Sequence, residues 1–135
     1  MNLVEYISQP TTDGEIGQAL HDLLDVEVFF KRPLEGADDS DRPVTARDAV
    51  NWPLEAKRLG ETVALVFYTS RTHPRIVNDS ENACAALPLR ECLQLSFDFP
   101  GADAIALVNQ DMSWKAFLKE NIEKILGTQQ GGGFR

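Results

Sequence analysis

The stretch "ALVFYTSRTHPRI", residues 64–76, places the hydroxyls of Thr69 and Ser70 just ahead of His73, one of only two histidines in the chain. A hydroxyl beside an imidazole is the pairing that nucleophilic catalysis uses: the ring takes the proton as the oxygen attacks, and a carboxylate orients the ring. Two features argue against that chemistry. No glycine flanks Ser70 to build the tight, exposing turn of a G-x-S-x-G nucleophile. Pro74 constrains the backbone directly after His73, which favours a turn whose side chains cap free backbone groups. The expectation is that Thr69 and Ser70 cap backbone and that no residue is catalytic. An enzyme with an unrecognised site near Ser70, His73 and Asn109 stands as the alternative.

The other residue types that carry chemistry form no recognisable set. Cys84 and Cys92 lie in the apolar stretches "ACAAL" and "ECLQL", and free cysteine in such surroundings behaves as a small hydrophobe. Only His21 and His73 would be at hand to complete a metal site, and neither is close in sequence to the cysteines, so no metal is expected. Neither G-x-x-x-x-G-K-[ST] nor G-x-G-x-x-G occurs to cradle phosphate, and no cofactor is expected. Asp38, Asp39 and Asp41 do not match the ligand spacing of a calcium loop. They read as a solvated acidic loop or, second, as a patch that faces a partner.

Charge sharpens the second reading. Twenty-one acidic against thirteen basic residues leave a net charge of −8. Such a surface repels nucleic-acid phosphates and anionic lipid headgroups, and attracts a basic protein. Partner-binding candidates are therefore Asp38, Asp39, Asp41, Asp98 and Asp103, with Trp52 as an aromatic anchor of the kind enriched at binding hot spots. For Trp52 there is a simpler role, sealing a hairpin against the core. No run approaches the roughly 18 to 20 apolar residues that cross a bilayer, and "MNLVEYISQP" has no basic start followed by an apolar stretch. A cytoplasmic protein that contacts neither membrane nor nucleic acid is expected.

The elements that must position these groups follow from periodicity. "NLVEYIS" fits one or two helical turns ended by Pro10, and Thr12 with Glu15 has capping-box spacing ahead of an amphipathic helix through Leu24. "VEVFFKRPL" reads as a strand, residues 35–48 as a long loop, and "WPLEAKRLGETVALVFYTS" as a hairpin that turns at Leu59-Gly60-Glu61. Val63 to Tyr68 and "AIALVNQ" are unbroken apolar runs, which require cover on both faces and so belong at the centre of a sheet. "ACAALPL" is a further strand, "PLRECLQLSF" a short helix, and "RTHPRI" a turn or short helix. In "SWKAFLKENIEKILG", Trp114, Phe117, Leu118, Ile122, Ile125 and Leu126 recur at helical spacing, with Gly127 placed as a cap. One α+β domain over 1–127 is expected, a single small mixed β-sheet covered by helices, with 128–135 as a flexible tail.

The succession "ETVALVFYTSRTHPRI", "ALPLRECLQLSF" and "DAIALVNQ", followed by a C-terminal helix, resembles the SseB-like N-terminal domain family across about 26–126. In that family an apolar strand ends in an F-T-S-like element and a P-[LF]-R-[ED]-x-L-like segment opens a helix. Here the first reads Phe67-Tyr68-Thr69-Ser70, and the second begins at Pro88. The resemblance implies a small bacterial α+β module with no established catalytic set, found beside secreted toxins and secretion systems. The expected function is a protein-binding protein, an immunity protein that neutralises a basic toxin domain. The alternative is a secretion-system accessory or chaperone-like component.

Overall fold

A computed structural model describes residues 2–8, 22–33, 49, 52 and 54–129. In chain order these form α1 (Leu3–Ser8), β1 (Glu27–Pro33), β2 (Ala56–Leu59), β3 (Thr62–Tyr68), α2 (Pro74–Val77), β4 (Asn82–Pro88), α3 (Leu89–Leu95), a 3₁₀ turn (Ser96–Asp98), β5 (Ala104–Val108), β6 (Trp114–Leu118) and α4 (Lys119–Gln129). Of the amphipathic helix expected from Thr12 through Leu24, residues 12–21 lie outside the described residues and 22–24 form a turn; the acidic loop at 35–48 and 130–135 of the expected tail also lie outside them.

The six strands make one mixed sheet in the order β4-β1-β3-β5-β6, with β2 paired to β3. The two apolar runs lie side by side in parallel, Ala64 opposite Ala104 through Tyr68 opposite Val108. Antiparallel neighbours flank them: β6 beside β5, β2 beside the first half of β3, and β1 beside its end. Gly60 has a positive φ of 66° in the two-residue link between Leu59 and Thr62. A first loop residue of that conformation gives the II′ hairpin turn, whose twist matches the strands it joins.

Strand alternation sorts side chains to two unlike faces. On one face Val28, Phe30, Leu65, Phe67, Ala85, Leu87, Ile105, Leu107 and Phe117 merge with Leu3, Tyr6 and Ile7 of α1, Leu89, Cys92 and Leu93 of α3, and Ile122, Ile125 and Leu126 of α4. This is the main core, and each large side chain buried there contributes roughly 1.5–3 kcal/mol. α1 carries a reciprocal cap: Glu5 N–H donates to the Asn2 side chain at 2.8 Å and Asn2 N–H donates to the Glu5 carboxylate at 3.2 Å. On the opposite face, α2 alone among the described helices packs down, seating Ile76 against Phe29, Val66 and Tyr68.

One expectation is corrected. Trp114 to Leu118 is strand β6, and the helix starts only at Lys119 and runs through Gln129, past Gly127. The apolar residues fit a helical period, yet the first three lie in a strand that pairs along β5, Trp114 opposite Val108 and Phe117 opposite Ile105. Aromatic residues suit a strand that completes a sheet, and that pairing outweighs local periodicity.

Candidate functional site

The hydroxyl and imidazole groups of the opening stretch do converge, but around Asn109. β3 and β5 end together because they are parallel and in register, so Thr69 and Asn109 emerge side by side. Thr69 donates its hydroxyl to Asn109 Oδ1 at 2.9 Å, and Asn109 Nδ2 donates to the Val4 carbonyl and to Ser113 Oγ, each at 3.0 Å. Asn109 is buried, and its side chain joins α1, β3 and the β5–β6 turn with acceptor and both donors used.

His73 is buried as well and caps α2: Nδ1 accepts from Arg75 N–H at 3.1 Å, so Nε2 carries the proton and donates to the Asn109 carbonyl, also at 3.1 Å. Pro74 follows at the first helical position, where its missing N–H costs nothing. The ring stacks at 4.5 Å against Tyr68. Burial first, and then the Arg75 and Lys31 charges, hold the imidazole below its ordinary range, opposed by the Asn109 carbonyl and Glu55. Ser70 Oγ meets Thr72 Oγ1 at 2.8 Å and accepts from Thr72 N–H at 3.2 Å. Backbone capping thus falls to Ser70 and His73, while Thr69 reaches Asn109. The imidazole has both nitrogens engaged with backbone and is not presented to Ser70 as a base.

A second network lies on the α2 side of the sheet. Tyr68 donates its hydroxyl to Glu55 at 2.7 Å, and Lys31 stands 3.9 Å from Glu55 and 3.2 Å from Asp79. Burial, then Glu55, pushes the Tyr68 phenol well above its usual range. Asp79 accepts from the Glu81 and Asn82 backbone and the Asn82 side chain, and these bonds with Lys31 hold its carboxyl at about 2. Among the described residues, no three His, Cys, Asp or Glu side chains are grouped to hold a metal ion. Cys84 and Cys92 are free thiols, raised by burial, Cys92 most of all.

Of the six partner-binding candidates three are described, Trp52, Asp98 and Asp103, each in a different setting. Asp38, Asp39 and Asp41 lie outside the described residues. Trp52 is half-buried, 6.2 Å from the Phe30 ring, with the Arg32 guanidinium 4.8 Å above it, so it seals the main core. Asp98 is exposed at the 3₁₀ turn. Asp103, also exposed, accepts from Val63 N–H at 3.0 Å while its own N–H donates to the Val63 carbonyl, clasping the starts of β3 and β5.

A different surface has the character of a binding site. On the sheet face opposite the main core, beside α2, Ala64, Ala104, Ala106 and Ala116 form a floor of small side chains, bordered by Leu59, Val66, Val108, Trp114 and Leu118. Trp114 is 53% exposed, Met112 46% and Leu118 42%, whereas Phe30, Phe67 and Phe117 of the other face are buried. Between Leu59, Val66, Ala106, Val108, Met112 and Trp114 lies a cavity of about 90 Å³, with Lys57 and Arg75 on its rim. Met112 reaches it from a strained position, with a φ of 74°, in the turn that Asp111 organises by accepting from Ser113 N–H at 2.9 Å and Ser113 Oγ at 2.6 Å. A non-glycine residue in this region costs roughly 1–2 kcal/mol. The helical reading of residues 114–118 hid this surface. The signal that reveals it is the alternation Trp114, Ala116, Leu118 directly after the Asp111-Met112-Ser113 turn.

No family model, no curated protein and no solved structure matches this chain. The resemblance to SseB-like domains therefore rests on the quoted residues alone. Among the described residues, no helix is long and apolar enough to cross a membrane.

Proposed function

We propose that this chain is a small protein-binding protein whose contact surface is the sheet face opposite the main core. The observation that carries the reading is the exposed apolar patch around Trp114 and Met112. Large apolar side chains set together on an otherwise charged surface mark interaction sites, and tryptophan is prominent among residues that anchor them. Strain at Met112 supports it too, because unfavourable backbone persists where its surroundings or its use require it. The polar groups at the strand tips are consumed in joining elements, which supports a binding role rather than a catalytic one.

The net charge of −8 favours a partner that is basic overall and steers its approach. An immunity protein that occludes a basic toxin domain combines these traits: a rigid scaffold, an apolar anchor and an acidic exterior. Affinity capture with the wild-type chain and with Trp114→Ala, compared by quantitative mass spectrometry, tests the reading. One dominant basic protein retained by the wild type and lost by the variant is expected, and its co-expression with the wild-type chain should relieve any toxicity it shows. Equal recovery of every protein by both baits would refute the choice of surface.

A further inference from the structure

The dimensions and rim of the Trp114 cavity specify what enters it. At about 90 Å³ it falls far below the roughly 300–1,000 Å³ of sites that enclose a small-molecule ligand. It holds one side chain. Val66, Ala106 and Val108 line its base, with Leu59, Met112 and Trp114 around them. A polar group inserted there would lose its hydration without a partner, so the inserted side chain is apolar.

The rim reverses the sign of the molecule. Lys57 enters from β2 and Arg75 from α2; both are exposed, and neither forms an ion pair among the described residues. The Glu55 carboxylate accepts from Tyr68 and faces Lys31, and the Arg75 guanidinium reaches the same phenol. Two cations, neither in an ion pair among the described residues, thus flank an apolar hollow on a chain of net charge −8.

We propose that this cavity receives a partner segment presenting one apolar side chain flanked by aspartate or glutamate. The proposal rests on the protein-binding reading and adds the chemistry of the bound segment. Net charge and local charge act at different ranges: at a distance the field of two cations is submerged in that of the net −8, so overall charge governs approach, whereas within a Debye length of roughly 8–10 Å Arg75 and Lys57 act directly on the docked segment. Arg75 offers the planar fork that matches a carboxylate, and Lys57 a compact point charge. A basic segment is repelled at the same spot, which sets the register of docking on a partner that is basic elsewhere.

The test uses a random linear peptide library displayed on phage, selected against the full-length wild-type chain, Trp114→Ala, and Lys57→Glu alone and combined with Arg75→Glu. Thermal melting confirms that each variant is folded. Enriched peptides should carry an apolar residue beside Asp or Glu. Binding of a synthetic enriched peptide, read by fluorescence polarisation, should weaken about tenfold in the double reversal and about 30-fold in Trp114→Ala, the factors that 1.4 and 2 kcal/mol represent. The double reversal should itself select Lys- or Arg-flanked peptides. Peptides that depend on Trp114 but show no charge preference, or keep their affinity in the double reversal, would overturn the proposal and leave the protein-binding surface standing. Enrichment indifferent to Trp114 would overturn both. Sedimentation of the wild type as a dimer that Trp114→Ala dissociates would overturn the proposal also, because a second copy would then occupy the face.

Discussion

Asn109→Ala should be among the most damaging single substitutions outside the apolar core, although the residue lies in a turn. The side chain makes three hydrogen bonds, with the Thr69 hydroxyl, the Val4 carbonyl and Ser113 Oγ, at 2.9–3.0 Å. A hydrogen bond contributes a net of roughly 1 kcal/mol, and a buried group left without its partner costs roughly 1–3 kcal/mol. The expected loss is therefore about 3 kcal/mol or more, against the roughly 5–15 kcal/mol total typical of a domain. In urea, with a slope of roughly 1–3 kcal/mol per M, the unfolding midpoint should fall by about 1–3 M with the slope unchanged. Hydrogen exchange should show α1 losing protection first, because the bond to Val4 ties that helix to the β5–β6 turn. Asn109→Asp retains the acceptor for Thr69 but loses both donors, and should be nearly as destabilised. A loss below about 1 kcal/mol, or unchanged protection of α1, would refute the claim that Asn109 joins these elements.

Two further predictions follow from local chemistry. His73 is held neutral, with its pKa below the ordinary 6.5, so the unfolded chain binds a proton that the folded chain does not. Its contribution to stability is present above that value and lost as pH falls below it. His73→Gln should flatten the pH dependence of urea unfolding between neutrality and about pH 5; an unchanged slope relative to wild type would contradict the buried neutral ring. Met112→Gly should leave stability equal or raised by up to about 1 kcal/mol, by relieving the left-handed backbone, while weakening partner binding. A clear loss of stability in thermal melts would show that Met112 holds the fold instead.

How far the fold was legible in the sequence depended on where the deciding contacts lay. Val63 to Tyr68 and Ala104 to Val108 declare themselves, because an apolar run with no polar face has few places in a small domain except the centre of a sheet. Leu59-Gly60-Glu61 carries its turn in the local chemistry of glycine. Trp114 to Leu118 misleads because Phe117, Ile122, Ile125 and Leu126 maintain a helical stripe across a junction that only pairing with β5 defines. That error hid the exposed face, since a tryptophan on a helical stripe reads as core. Trp52 carried two readings, an anchor or a seal of the hairpin against the core, and its place between Phe30 and Arg32 fits the second. Asn109 was visible as a polar residue at a strand end, yet its role depends on Val4 and Thr69, remote in sequence and close only once β3 and β5 align.

Isothermal titration of the captured partner into the wild-type chain, Trp114→Ala and Trp52→Ala tests the working surface most directly. Trp114→Ala should weaken binding about 30-fold, the equivalent of a 2 kcal/mol hot spot, with little change in melting temperature, whereas Trp52→Ala should lower stability and leave the affinity of the folded protein intact. The reverse pattern, affinity lost with Trp52 and kept without Trp114, would move the contact surface to the main-core side of the sheet and contradict the account.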